Sequence, residues 1–270
     1  MSNNKHIKLP KRKSNSHKGD YGRVLIVAGS PGMTGAAVLA SRGALRSGAG
    51  LVYLAVPTGL VNFVDSITPE VITIPFEKIK DIREDALLIG PGLGQSPSVR
   101  KLVDSLITKT IGHLVIDADA LNIISDYPKI LKKAKTQIVI TPHPGEMSRL
   151  IHRRIEYIQK NRAVVAREAA RLFHCLVVLK GHKTVVAEPH GETYINSTGN
   201  PGMATAGVGD VLGGMIASFI AQGQSVWHAA IAGVYLHGLA GDLAAKEKGQ
   251  HGMIASDLVE RIPDAIQRVY

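Results

Sequence analysis

The densest run of residues able to do chemistry is Asn196-Ser197-Thr198-Gly199-Asn200-Pro201-Gly202-Met203-Ala204-Thr205-Ala206-Gly207-Val208-Gly209-Asp210. It leads from a short strand pattern into an apolar helix of small residues. Gly207 and Gly209 leave main-chain amides uncovered, and amides converging at a helix N-terminus favour phosphate. Asp210 falls in the first helical turn. It either caps the helix or acts as a general base, taking the proton from a hydroxyl as that oxygen attacks a terminal phosphoryl group. In the second reading the Gly207 to Gly209 amides stabilise the charge on that group, and magnesium neutralises the phosphates of the leaving nucleotide. Capping alone does not account for the glycines that precede the aspartate.

Other candidates are spread along the chain. In Leu179-Lys180-Gly181-His182-Lys183-Thr184, Lys180 offers a cation to phosphate and Gly181 lets the backbone come close, whereas Lys183 also fits a solvated hairpin charge. In Thr141-Pro142-His143-Pro144-Gly145-Glu146, two prolines fix the chain around one imidazole. His143 therefore suggests ligand contact or proton transfer. Glu146 could orient a base, bind a hydrated metal through water, or cap a helix. Asp117 and Asp119 could hold a hydrated metal, or one of them could cap the next helix; Asp117, at a strand end, is the better inward candidate. Two glycine loops, Gly29 to Gly35 and Pro91 to Gly94, follow strand patterns and are either ligand contacts or structural turns. The first lacks both the Gly-x-Gly-x-x-Gly fingerprint and a Walker Gly-Lys-Ser/Thr. Neither HExxH nor Cys/His zinc spacing occurs, and Cys175 suits a core position.

These loops need a scaffold. Strand patterns lie at Arg23 to Ala28, Leu51 to Val56, Val71 to Ile74, Ala86 to Ile89, Leu114 to Asp117, Gln137 to Ile140 and Leu176 to Leu179. Most are continuous apolar runs, as expected of strands covered by helices on both faces. Helical patterns at Ala36 to Ser47, Ser98 to Thr108 and Ile155 to Phe173 separate some of them. The alternation predicts an open, mostly parallel α/β sheet, with ligands at the C-terminal ends of its strands. Thr184 to Ala187 and Thr193 to Asn196 predict an antiparallel hairpin. Three helices are predicted after it, at Val208 to Ile220, Val226 to Ala244 and Ile254 to Val269. Gly213-Gly214 within the first is costly by propensity, so packing or a ligand should compensate.

The chain has 270 residues, 45% of them apolar, enough for a large core. We expect one domain over 19–270, preceded by a basic segment at 1–18. The excess of 32 basic over 22 acidic residues gives +10, and the first 18 residues contribute six bases and no acid. That segment lacks the apolar stretch of a secretion signal; it is either an ordinary solvated tail or part of a modest positive field that would suit a polyphosphate or dinucleotide ligand. Aromatics are 4% and no basic stripe is interleaved with them, which argues against nucleic-acid binding. Val211 to Gly241 carries no Asp, Glu, Lys or Arg, but Gln222-Gly223-Gln224-Ser225 interrupts it. It falls short of the ~18 apolar residues of a membrane span, so two buried helices are expected. One cysteine forms no internal disulfide, and a reducing, cytoplasmic location is the default.

Taken in order, Gly29 to Gly35, Pro91 to Gly94, Asp117 to Asn122, His143 to Glu146, Lys180-Gly181 and Asn200 to Asp210 resemble the nucleotide-dependent NAD(P)H-hydrate dehydratases of the ribokinase-like superfamily. The likeness runs from His17-Lys18-Gly19 to the last helix. It implies a three-layer α/β/α ribokinase-like fold. It also implies a dehydration driven by ADP, with ATP as the alternative, that returns hydrated NADH or NADPH to the reduced cofactor and releases AMP and phosphate, with magnesium present. By the same likeness Gly35, Ala37, Gly92, Gly94 and His143 contact the hydrated dinucleotide, Lys180, Gly181, His182, Lys183, Thr184 and Gly209 form the adenine-nucleotide site, and Asp210 touches the substrate. A homo-oligomer, most simply a tetramer, and a separate epimerase for the other substrate epimer are implied, since the chain leaves no room for a fused epimerase domain. The family commonly has Thr where this chain has Val208. The competing readings are a ribokinase-like small-molecule kinase, acting on a vitamin-precursor or sugar hydroxyl, and a nucleotide sensor without catalysis.

Overall fold

The computed structural model describes residue 7 and residues 9–269. In chain order its elements are β1 (Arg23–Val27), α1 (Thr34–Arg46), β2 (Leu51–Val56), α2 (Val61–Ile67), β3 (Ile72–Pro75), β4 (Ala86–Ile89), α3 (Pro97–Lys109), β5 (His113–Ile116) and α4 (Ala118–Ile124). There follow β6 (Ile138–Ile140), α5 (Pro144–Ile151), α6 (Ile155–Lys160), α7 (Arg162–Phe173), β7 (Leu176–Leu179), β8 (Val185–Ala187), β9 (Thr193–Ile195), α8 (Val208–Ala221), α9 (Val226–Lys248) and α10 (Ala255–Gln267). The strands form one sheet in the order β3-β2-β1-β4-β5-β6-β7-β8-β9. Pairings from β3 across to β7 are parallel, and β7-β8-β9 are antiparallel. The expected open, mostly parallel sheet and its hairpin are thus present.

Alternating side chains of each strand enter two cores. Val24, Ile26 and Leu88 pack with α1, α8, α9 and α10, while Leu25, Val27, Leu87 and Ile89 pack with α3 to α7. Both faces are covered, which is why the strands read as unbroken apolar runs. Glycine sets the spacing of the first layer. A Cβ on Gly214 would lie 2.0 Å from Ala40 O, so α1 and α8 meet backbone to backbone. Packing, not a ligand, compensates the poor helix propensity at Gly214.

The single helix expected over Ile155 to Phe173 is two. Asn161 breaks it with φ −124° and ψ 34°, and its side-chain amide donates to Tyr157 O at 2.9 Å. The basic segment is not simply solvated where it is described: Ile7 is buried in the core, and Arg12 donates to Gly48 O at 2.7 Å and stacks 4.1 Å from the Tyr21 ring centroid. Residues 1–6 and 8 of that segment lie outside the described residues. The apolar stretch from Val211 becomes parts of α8 and α9, and no helix among the described residues is long and apolar enough to cross a membrane.

Candidate active site

The C-terminal ends of β5, β6 and β7 and the N-terminus of α8 surround a cavity of about 780 Å³. Asp117, His143 and Lys180 each follow one of those strands and line it, as Gly207, Gly209 and Asp210 do from the opposite side. A more open groove of about 580 Å³ lies between α9 and α10, but Arg261 there is already held by Glu247 and by Asp264 at 2.8 Å.

Gly207 precedes α8 with φ +87°, and a Cβ on it would lie 2.3 Å from Leu39 Cδ1. The left-handed conformation favours glycine, and a side chain here would also push Leu39 aside. The first intrahelical donor is Val211, whose N–H reaches Gly207 O at 3.2 Å. The N–H groups of Val208, Gly209 and Asp210 therefore stand ahead of the helical ladder, with no backbone acceptor among the described residues, and can face a ligand. From α9, His237 lies 2.8 Å through Nε2 from Val208 O. Burial pushes its pKa down to about 4, so the ring is neutral and Nε2 donates to that carbonyl. The same strand-to-helix segment is pinned further back by Asp242, which accepts from Gly199 N at 3.0 Å and Asn200 Nδ2 at 2.9 Å.

Facing these amides is a cluster of three carboxylates and one cation. Lys180 Nζ lies 2.6 Å from Asp117 Oδ1 and 3.8 Å from Glu146 Oε2. A Cβ on Gly209 would lie 3.4 Å from Nζ, so glycine brings the ammonium up to the helix N-terminus. Burial opposes the Lys180 charge, but Asp117, Glu146 and Asp210 outweigh it, and its pKa rises. Burial, reinforced by Asp117 and partly offset by Lys180, pushes Asp210 up to about 7. Glu146 is likewise pushed to about 7, by burial first, with Lys180 opposing. Asp117 Oδ2 is buried without a hydrogen-bond partner.

His143 and Glu146 form a reciprocal cap on α5. His143 Nδ1 accepts from Gly145 N at 3.0 Å and from Glu146 N at 3.3 Å, while Glu146 Oε2 accepts from His143 N at 2.7 Å. Burial, then Lys180 and Arg149, lower the pKa of His143. With Nδ1 committed as acceptor, neutral His143 carries its proton on Nε2, 3.3 Å from Glu146 Oε1. It is placed to orient and to donate rather than to accept a proton.

His182, Lys183 and Thr184 line the cavity beside Lys180 and Gly181. Gly35, Ala37, Gly92 and Gly94 do not. Gly35 is exposed in the first turn of α1, and Ala37 is fully buried against Gly29. The two glycine loops hold each other, with Gly29 N donating to Pro91 O and Ser30 Oγ to Gly92 O, each at 2.8 Å. Gly94 N donates to Asp119 Oδ2 at 2.8 Å, so Asp119 secures this loop to the start of α4. Among the described residues no group of three or more His, Cys, Asp or Glu side chains is arranged to hold a metal ion. Cys175 is buried, which pushes its thiol pKa up. Sequence reading passed over His237 and Asp242; a histidine and an aspartate within the apolar α9 pattern were the available signals.

The sequence model of NAD(P)H-hydrate dehydratase matches residues 24–264. A bifunctional NAD(P)H-hydrate repair enzyme of Moorella thermoacetica is 43% identical, over 97% of this chain and 52% of its own length. The chain thus spans about half of that relative. An ADP-dependent (S)-NAD(P)H-hydrate dehydratase of Bacillus subtilis is 36% identical, over 96% of this chain and 94% of that protein. The crystal structure of the B. subtilis ADP/ATP-dependent NAD(P)H-hydrate dehydratase, co-crystallized with ATP/Mg2+, superposes with a TM-score of 0.88 at 36% identity, covering 97% of this chain and 95% of that one. A hydroxyethylthiazole kinase of Pyrococcus horikoshii, TM-score 0.67 at 16% identity, shares the fold. With this ribokinase-like architecture and a match spanning nearly the whole sequence, the chain belongs to the NAD(P)H-hydrate dehydratase family.

Proposed function

We propose that the chain is an ADP-dependent (S)-NAD(P)H-hydrate dehydratase, able in principle to use ATP as well. The observation that carries this reading is Asp210: a carboxylate with a pKa near 7 at the mouth of a helix whose first N–H groups can face a ligand. A base with a pKa close to the working pH is the efficient kind.

In the first step the hydroxyl oxygen of the hydrated ring attacks the terminal phosphorus of ADP. Its proton passes to Asp210, the bond to the AMP oxygen breaks, and the amides of Val208 and Gly209 with Lys180 take up charge on the transferred group. In the second step the ring-nitrogen lone pair expels phosphate, and loss of a ring proton restores the double bond. Phosphorylation makes sense because phosphate leaves far more readily than hydroxide.

Magnesium suits an all-oxygen site of few carboxylates completed by phosphate and water. Asp117, which lines the cavity and whose Oδ2 carries no hydrogen bond, would be the carboxylate to hold it. The ion would neutralise the leaving nucleotide's phosphates. His143 and the paired Gly35–Ala37 and Gly92–Gly94 segments are proposed for the dinucleotide; the latter adjoin the cavity through Asp119 and α4. A cytoplasmic location, which rests on the lone cysteine, and a homotetramer and an epimerase partner, which rest on family likeness, complete the proposal.

The test is the product. Hydrated NADH or NADPH with ADP should regain the near-ultraviolet absorbance of the reduced cofactor while releasing AMP and phosphate. A stable phosphorylated alcohol with no absorbance recovery would identify a kinase instead.

A further inference from the structure

Arg162 is the first residue of α7, just past the Asn161 break, and its guanidinium reaches the turn that carries Lys180 and Gly181. Nη2 donates to Leu179 O at 2.8 Å and to Lys180 O at 3.1 Å, and Nη1 donates to Gln159 Oε1 at 3.0 Å. Every one of these partners is neutral. Nε is buried with no partner, and burial lowers the guanidinium pKa. Arginine nevertheless keeps its proton, so a positive charge with no carboxylate partner among the described residues stands behind the turn.

The two carbonyls have a consequence for the amides that follow them. A trans peptide places C=O and N–H on opposite sides of its plane. With Leu179 C=O turned to Arg162, Lys180 N–H points the other way and donates to Pro142 O at 2.8 Å. With Lys180 C=O turned to Arg162, Gly181 N–H also points away from the guanidinium. Gly181 lines the cavity, and its N–H has no backbone acceptor among the described residues. Gly181 has φ +129°, and a Cβ on it would lie 3.1 Å from Arg162 Nη1 and 3.3 Å from Nη2. The guanidinium occupies the space a side chain would need.

We propose that Arg162 is a positioning residue of the nucleotide site: it holds the Lys180–Gly181 peptide so that Gly181 N–H meets an anionic group of the nucleotide, and it adds an uncompensated cation behind that amide. This inference rests on the reading of Lys180 to Thr184 as the nucleotide site. Arg162 itself does not line the cavity. It acts through the peptide it holds and through its field, which a point-charge lysine would supply only in part.

The experiment is calorimetric titration of ADP into the wild type, Arg162→Lys, Arg162→Gln and Arg162→Ala at low and moderate salt. Each free protein is also unfolded thermally, and KM for hydrated NADPH is measured for each. ADP affinity should fall about tenfold or more in Arg162→Gln and Arg162→Ala, with a flatter salt dependence. Arg162→Lys should keep the salt dependence and recover part of the affinity, and KM for hydrated NADPH should stay at the wild-type value. In the wild type, ADP should protect the Gly181 amide from hydrogen exchange, a readout that survives even if a variant fails to fold. Folded variants with wild-type ADP affinity, or a Gly181 amide unprotected in the ADP complex, would overturn the role of Arg162 while leaving the dehydratase reading in place. A wild type that binds no ADP would overturn that reading and this one with it.

Discussion

Lys180 Nζ lies 2.6 Å from Asp117 Oδ1, and that one ammonium is shared by Asp117, Glu146 and Asp210. Three carboxylates around one cation cannot all ionise freely in a buried site. Burial first, and the Asp117 charge after it, raise the pKa values of Glu146 and Asp210 against the opposing pull of Lys180. The excess of carboxylates also sets a requirement on any polyphosphate entering the cavity, whose added negative charge must be met by the α8 amides, by Lys180 and by a divalent cation.

Removing the cation should therefore damage both fold and rate. Lys180→Met leaves Asp117 buried without its partner, and breaking such a pair costs about 3–5 kcal/mol. Turnover should fall at least ~100-fold, since a charge donor to the reacting phosphoryl group is lost. Because Lys180 holds the Asp210 pKa down, the acid limb of the rate profile should move to higher pH. Urea unfolding checks the stability loss, and steady-state rates of a folded Lys180→Met sample across pH check the rest.

Asp210 links activity to stability with opposite signs. For the wild type, kcat/KM should decline about tenfold per unit as pH falls below ~7, because the base becomes protonated. The folded pKa of Asp210 is about 7 against an ordinary 3.8, so between these values the folded chain holds a proton that the unfolded chain has lost. Stability from this group is consequently lost as pH rises through that window. Asp210→Asn should be the more stable protein at pH ~8, by about 1–3 kcal/mol, with the difference vanishing below pH ~4. Urea unfolding of the two proteins at both pH values decides it.

Two glycines near one another in sequence should behave differently. Gly207→Ala meets Leu39 and demands a left-handed alanine, costing about 1–3 kcal/mol, and it displaces the α8 amides, so turnover should drop more than the stability loss explains. Gly214→Ala forces apart α1 and α8 against Ala40 O and should act through the fold alone. Activity per folded molecule, measured beside thermal unfolding, separates the two. Nearby, Val208→Thr should leave stability nearly unchanged and alter turnover by less than about tenfold, because a single neutral hydroxyl contributes about 0.5–1.5 kcal/mol.

Much of this was legible beforehand because covered strands write themselves as apolar runs. Ala86 to Ile89 and Leu176 to Leu179 appear in the structure with the bounds read from sequence. The hairpin strands end one residue inside the expected bounds, at Val185 and Ile195, although Asn196 N still donates to Thr184 O at 2.9 Å. The Asn161 break was hidden because apolar spacing continues across it; only the hydrogen bond from its side chain to Tyr157 O shows why the helix stops. Of the cavity lining, Lys180-Gly181 and the Gly207 to Asp210 turn could be picked out by type and position. The contacts of His237 with Val208 and of Arg162 with Lys180 could not, since each joins residues distant in sequence through a side chain of ordinary appearance.

The central claim is that Asp210 takes the hydroxyl proton, and single-turnover kinetics of Asp210→Asn test it most directly. With hydrated NADPH and ADP both saturating, the substitution should lower the rate of phosphoryl transfer at least ~100-fold, while ADP affinity stays within a few-fold of the wild type. A variant that transfers phosphate at the wild-type rate would contradict the account.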